Sequence, residues 1–335
     1  MQTNSDSVAV IGAGSWGTAL AVLLADNGHS TFLWGRNAAQ ISQMAENRCN
    51  EIYLPEVEFP TNLQPEADLG KALASVNSIL LVVPSKGFRA AVESIKPYFK
   101  PHMGIAIATK GLEPDSLKLL HEVAYEVLGS EQKLCIVSGP TFAKEVAIGL
   151  PTALTVASND KEFAFDYAKL LSNDHFRAYT SEDVIGVEIG GAVKNVIAIA
   201  AGIADGLGFG ANTRTAVITR GLAEITRLGI ALGGHQETFM GLAGLGDLVL
   251  TCTDDQSRNR RVGLSLAKGK SLPQILEELG QVAEGVETAE KVYHLSKKLN
   301  IQMPIVEQVY DVIYQQKPAK QAVHDLLHRA IRAEN

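Results

Sequence analysis

Hydrophobic residues follow two rhythms along the chain. Up to about residue 180, short apolar runs alternate with amphipathic stretches of helical length. The runs VAVIG (8–12), TFLWG (31–35), SILLVV (78–83), GIAIAT (104–109) and KLCIVS (133–138) are short and almost wholly apolar. That is the signature of strands covered on both faces. Between them, segments such as 15–27, 86–96 and 115–128 have helical length. Alternating strand and helix predicts an α/β fold built on a doubly wound, mostly parallel sheet. Two further runs, PTALTVAS (151–158) and FRAYTS (176–181), extend that sheet. Beyond about residue 182 the period becomes helical throughout: 182–204, 213–231, 257–267, 272–279, 286–299, 304–315 and 318–332. Ser271 and Gln274 have the spacing of a capping box at one of these starts. The pattern therefore divides the chain into an α/β domain over 1–181 and an all-helical domain over 182–335. No internal repeat of fixed period is visible.

One helix breaks its own pattern. EIGGAVKNVIAIAAGIADGLGFGAN (188–212) is apolar and small-residue-rich, yet Lys194 and Asn195 stand in its middle. Glu188, Lys194, Asn195 and Asp205 interrupt it, which leaves it short of the ~20 apolar residues that a membrane span needs. No stable membrane insertion is expected. The leading residues MQTNSDSVAVIGAG carry no basic leader or long apolar core, so a cytoplasmic protein is expected. A formal charge of −7 argues against nucleic acid as a partner, because duplex binding needs a concentrated basic face. Cys49, Cys135 and Cys252 are odd in number and widely spaced, which suits a reducing compartment and no structural zinc.

The first predicted strand runs into GAGSWGTALA, which is G-x-G-x-x-G at Gly12, Gly14 and Gly17. In the Rossmann-type arrangement the first glycine allows a tight turn and the second lets a pyrophosphate approach the backbone. The third lets helix and sheet pack closely, and the helix N-terminus offers N–H groups to the phosphates. The plain alternative is an ordinary strand-to-helix turn. The second strand ends LWGRN, with Gly35 and Arg36 where an acidic residue would hold the ribose of NAD. An arginine there pairs with a 2′-phosphate, so NADPH is the expected cofactor, with NADH tolerated. A solvated loop arginine is the alternative. Lys110 follows another strand end, and Gly139, Pro140 and Thr141 form a turn opening a helix, with Thr141 as its N-cap. Singly, a solvated lysine and a mere cap explain Lys110 and Thr141. Their shared rim favours ligand binding.

The helical half carries GLAGLGDLVLTCTDDQSRNRRVG (241–263): a glycine-rich loop, a buried-looking Asp247, then Ser257, Arg258, Asn259, Arg260 and Arg261. Guanidinium forks with amide and hydroxyl donors suit phosphate oxygens. A helix start with solvated arginines accounts for Arg260 or Arg261 but not for the whole cluster. GLSLAKGKS (263–271) is no triphosphate loop, since five residues separate its glycines and no strand precedes it. His324 and His328 lie one helical turn apart but belong to no wider ligand motif, so no metal is expected. For Lys194, the flanking Val193, Val196, Ile197 and Ala198 argue burial, which lowers a lysine pKa, whereas a phosphate dianion raises it. The result is a group suited to proton transfer. The alternative is a lysine that snorkels to water.

These blocks resemble one family. GAVKNVIAIAAGIADGLGFGAN, GAGSWGTALA, ATKGLE, SGPTFAKEV, GLAGLGDLVLTCT, SRNRRVG and VAEGVET occur in the order found in NAD(P)-dependent glycerol-3-phosphate dehydrogenases of the bacterial type. The resemblance spans essentially the whole chain. The long helix motif and SRNRR are specific, whereas the glycine-rich turn is shared by many dehydrogenases. The resemblance implies a C-terminal domain like that of 6-phosphogluconate dehydrogenase. It also implies reversible reduction of dihydroxyacetone phosphate to sn-glycerol 3-phosphate, supplying glycerophospholipid synthesis. Ser15, Trp16, Arg36, Lys110, Ala143, Arg258, Val282 and Glu284 would join the glycines in the cofactor site. Lys110, Gly139, Thr141, Asn195, Asp247, Ser257, Arg258 and Asn259 would surround the substrate, with Lys194 as proton donor and acceptor. Asp247 would orient Lys194 or a substrate hydroxyl. A homodimer is the expected assembly. Two rivals remain open: another dehydrogenase of this architecture (for 6-phosphogluconate, 3-hydroxyacids or ketopantoate) and an NADPH-sensing regulator without turnover, which has no need of Lys194.

Overall fold

The computed structural model describes residues 6–330. The chain folds as two compact units, Met1–Val187 and Glu188–Asn335.

The first unit is built on an eight-stranded sheet. Its strands are β1 (Ser7–Ile11), β2 (Ser30–Trp34), β5 (Leu63–Pro65), β6 (Ser78–Leu81), β7 (Gly104–Ile107), β8 (Leu134–Ser138), β9 (Thr152–Ala157) and β10 (Phe176–Ser181), while β3 (Cys49–Asn50) and β4 (Leu54–Glu58) form a separate antiparallel pair. The sheet order is β10-β9-β8-β7-β6-β1-β2-β5. From β5 to β8 all neighbours are parallel, with Val8 opposite Thr31 on one side and Ser78 on the other. The winding reverses between β1 and β6, the switch point of a Rossmann-type sheet, where ligands sit beyond the carboxyl ends of the strands. All seven predicted runs are strands. The last two turn the sheet mixed: β9 pairs with β8 antiparallel, and β10 follows β9 in parallel. The apolar runs are explained by double-sided cover, since Val8, Ala9, Val10 and Ile11 are all fully buried. β5 escapes the period-based reading because it is three residues long and ends in Pro65, at the edge where a proline is tolerated.

The second unit is helical. Its central element, Val184–Gly206, begins four residues before the unit boundary. It is long and apolar enough to cross a membrane, with a mean hydropathy of 1.7, so the expectation that its polar residues disqualify it is corrected. The physical reason for its composition is different: 89% of its apolar window is buried inside the protein, as befits a core helix. Within the second unit it packs backbone to backbone on the helix Arg258–Ala267. A Cβ at Gly202 would lie 2.1 Å from the carbonyl oxygen of Arg260, and one at Gly263 would lie 2.1 Å from that of Ile199. The predicted loop over 241–246 is a wide helical turn, Leu242–Gly246, leading straight into the helix Asp247–Thr253. Gly246 N–H reaches back five residues to Gly241 O at 3.1 Å, the hydrogen bond of a π-turn. The capping box forms as expected, Gln274 Oε1 accepting from Ser271 N at 3.2 Å.

Glu224, on the helix Ala211–Ala231, is buried and accepts the Ile305 and Val306 N–H groups at 2.8 and 3.2 Å, capping the helix Pro304–Tyr314 from a distance. Burial pushes its carboxyl up to about 7; the two N–H groups, Arg227 and Arg329 pull the other way. An acid whose folded pKa is raised binds its proton more tightly when folded. Its contribution to stability is therefore complete below about 4.5 and lost as pH rises through about 7. Relative to Glu224→Gln, the wild-type Tm should fall between pH 4.5 and 7 and run parallel above that range. Thermal melts of both proteins across this range check it, and parallel curves throughout would contradict it.

Candidate active site

The strand ends of the first unit carry the residues expected to meet a dinucleotide. β1 runs into Gly12, whose φ of +125° and close approach to Val82 O, 2.4 Å from an added Cβ, exclude any side chain. A Cβ at Gly14 would meet nothing within 4 Å, so the backbone there is open to a ligand, whereas one at Gly17 would lie 1.8 Å from Gly12 O. The helix that follows, Ser15–Asp26, has no side-chain cap and no acidic residue in its first turn. Its N–H groups and positive end thus face an anion unopposed. Trp16 Nε1 is buried without a hydrogen-bond partner. These features fit a pyrophosphate held on the turn. Arg36 is exposed just beyond β2.

Lys110 follows β7 and Gly139 follows β8, and the two meet: Lys110 Nζ donates to Gly139 O at 3.4 Å. Thr141 also turns to this carbonyl, its Oγ1 donating at 3.2 Å. The expected cap is corrected here. The helix Ala143–Ala147 has Phe142 at its N-cap position, and no side chain caps it. Thr141 is one residue too early, and its hydroxyl is spent on the turn. Ala143 is half-buried against the core of this unit.

In the second unit the structure brings Lys194 and Asp247 together. Lys194 is buried at 6% exposure, and its ammonium donates to Asp247 Oδ1 and, at 2.8 Å, to Thr251 Oγ1. Asp247 is 1% exposed. Thr251, one turn further along the same helix, donates in turn to the Asp247 carbonyl at 2.6 Å. A lysine that snorkels to water is thereby excluded. Thr251 was not among the expected residues, although its i+4 spacing from Asp247 puts both on one helix face. Ser257 caps the helix Arg258–Ala267, accepting from Arg260 N at 3.2 Å. Arg258 Nη1 approaches Gln281 Oε1 at 3.5 Å, beside the exposed Val282. Asn259 Oδ1 accepts from Gly285 N at 2.9 Å, next to Glu284. The solvated reading of Arg260 is corrected: it is buried, paired with Asp205 and, at 2.9 Å, with Asp255. Asp205 also takes Arg214 at 2.9 Å. Arg260 thus ties the polar turn to the far end of the lysine helix.

A Rossmann-type sheet followed by an all-helical unit is the architecture of a class of two-domain dehydrogenases. Ketopantoate reductase from Ralstonia eutropha JMP134 shares this fold, at 15% identity and a TM-score of 0.61 over 95% of this chain and all of that one. Residues 7–164 match the family described as NAD-dependent glycerol-3-phosphate dehydrogenase N-terminus, and residues 183–324 match its C-terminus counterpart. The glycerol-3-phosphate dehydrogenase [NAD(P)+] of Pseudoalteromonas translucida (strain TAC 125) is 54% identical over the full length of both chains. That of Psychromonas ingrahamii is 55% identical over 98% of each. The crystal structure of glycerol-3-phosphate dehydrogenase from Coxiella burnetii is 45% identical, with a TM-score of 0.94 over 97% of this chain and 99% of that one. The chain belongs to the NAD-dependent glycerol-3-phosphate dehydrogenase family.

Removing one member of a buried ion pair strands the other. Asp247→Ala should destabilise the protein by about 3–5 kcal/mol. The double change Lys194→Met with Asp247→Leu, which removes both charges, should lose much less. Urea denaturation of the three proteins checks this, and equal losses for single and double variants would show that the pair is not what the single change disturbs.

Proposed function

We propose that this protein reduces dihydroxyacetone phosphate to sn-glycerol 3-phosphate with NADPH, tolerating NADH, and runs the reverse oxidation. The observation that carries the reading is the buried Lys194–Asp247–Thr251 network in a chain of this family. A nicotinamide cofactor held on the glycine-rich turn would supply the hydride that the central carbonyl carbon needs. Lys194, as ammonium, gives a proton to the oxygen as the carbon–oxygen double bond becomes single; in reverse the neutral amine takes the hydroxyl proton. Asp247 and Thr251 both accept from the ammonium and fix where it stands. Arg258 and Asn259, with Ser257 at the helix start, hold the phosphate, and Lys110, Gly139, Thr141 and Asn195 are proposed as further substrate-binding residues. Binding energy gathered at the phosphate orients the ketone for reaction.

Gly12, Gly14, Ser15, Trp16 and Gly17 take the pyrophosphate end of the dinucleotide, and Ala143, Arg258, Val282 and Glu284 take part in holding it. Arg36 supports the preference for NADPH, standing at the end of β2 where an acidic residue would favour NADH. The domain assignment belongs to the same proposal: 1–181 binds the dinucleotide and 182–335 binds the substrate. So does its setting, a cytoplasmic homodimer feeding glycerophospholipid synthesis.

Loss of NADPH absorbance on adding dihydroxyacetone phosphate tests the reaction directly. Lys194→Ala should abolish turnover, leaving NADPH affinity within about threefold, since the lysine acts only on the reacting oxygen. Near-wild-type activity would remove it from its role. Arg258→Ala should impair the phosphorylated substrate far more than NADPH binding. Comparable wild-type rates on phosphate-free dihydroxyacetone would contradict the phosphate assignment.

A further inference from the structure

Gly285 stands in the first turn of the helix Glu284–Lys298 and is buried. Its N–H is one of the donors that a helix leaves unpaired at its start. It finds a partner far away in sequence, Asn259 Oδ1 at 2.9 Å, and Asn259 is itself only 8% exposed. A backbone N–H pairs only with the oxygen of a carboxamide. The bond therefore fixes the rotation of the Asn259 side chain, with Oδ1 toward the Glu284–Lys298 helix and the two Nδ2 donors on the opposite side. Residue 285 also has no room for a side chain. A Cβ there would lie 2.6 Å from the carbonyl oxygen of Asn195 and 2.7 Å from Asn259 Oδ1. Three segments converge at this glycine: the lysine helix one residue past Lys194, the polar turn, and the VAEG stretch.

We propose that Gly285 is a positioning residue for phosphate recognition, its N–H and its lack of a side chain holding the Asn259 carboxamide with Nδ2 turned to the substrate's phosphate. The proposal rests on the dehydrogenase reading above. A carboxamide rotated by half a turn presents a lone pair to a phosphate oxygen, whereas the held orientation donates a charge-assisted hydrogen bond. Gly285 touches no substrate atom. It acts through Asn259, and an alanine in its place pushes that side chain off the orientation the N–H selects.

The test compares wild type, Gly285→Ala, Asn259→Ala and the double variant, each assayed by NADPH oxidation with dihydroxyacetone phosphate and with phosphate-free dihydroxyacetone. Gly285→Ala should raise KM for the phosphorylated substrate about tenfold or more, and by a larger factor than it lowers kcat, the mark of binding lost beyond any loss of chemistry through the Asn195 backbone. The preference for the phosphorylated substrate, as a ratio of kcat/KM values, should fall in parallel. In the Asn259→Ala background most of that penalty should vanish, because the two residues act as one unit. Independent, additive penalties or an unchanged preference in Gly285→Ala would overturn the proposal. Asn259→Asp serves as the second variant if the alanine fails to fold. It keeps the oxygen that accepts the Gly285 N–H, so the wild-type Tm should be retained while the phosphate preference is lost. A retained preference would sink the idea. Failure of the wild-type protein to oxidise NADPH with dihydroxyacetone phosphate would instead defeat the underlying reading, before any variant is made.

Discussion

An ammonium group inside an apolar helix must be neutralised where it stands, because the cost of leaving it unpaired exceeds what most single interactions return. Lys194 sets that requirement, and the second unit is arranged to meet it. The carboxylate comes from Asp247, the first residue of a short helix, and reaches the lysine because a π-turn leads directly into that helix. Thr251 then completes the network from one turn along. The lower end of the lysine helix has its own buried pair, Asp205 with Arg260, which anchors the polar turn. Two ion pairs on one helix thus fix both the proton-bearing group and the segment proposed to hold the phosphate.

The first unit solves a different problem, bringing backbone rather than side chains to an anion. Its parallel strands place successive turns on a single rim, so Gly14, Lys110 and Gly139 need no long-range pairing to share an edge. Little charge is buried there. The open space at Gly14 and the uncapped start of the Ser15–Asp26 helix do the corresponding work with peptide dipoles.

Much of this was legible in residue order. Doubly covered strands betray themselves as short apolar runs, so β1, β2, β6, β7 and β8, and β9 and β10 after them, are legible directly. The reversal of β9 could not, because a strand's residue pattern is the same in either direction. Lys194 was conspicuous for its apolar neighbours. Arg260 was not: its buried partner Asp205 lies 55 residues away, and its local partner Asp255 is exposed and would pair as readily with a solvated guanidinium. The turn over 241–246 looked like a loop because glycine weakens helical propensity, whereas packing decides the matter in the fold. Thr141 has the chemistry of a cap but stands one residue early, an offset within the usual blur of helix boundaries.

The crossing of the lysine helix with the Arg258–Ala267 helix has a consequence for selectivity. At Gly202 and Gly263 the two backbones touch, with no side chain between them to flex or repack. Helices that meet through side chains can shift by rotamer changes, but helices that meet through peptide groups cannot. The crossing therefore works as a ruler: the interval from the Lys194 helix to the segment bearing Asn259 is set by van der Waals radii. For a phosphorylated ketone held as proposed, the number of carbons separating carbonyl from phosphate is measured against that fixed interval. Chain length, as much as charge, then decides what can be reduced.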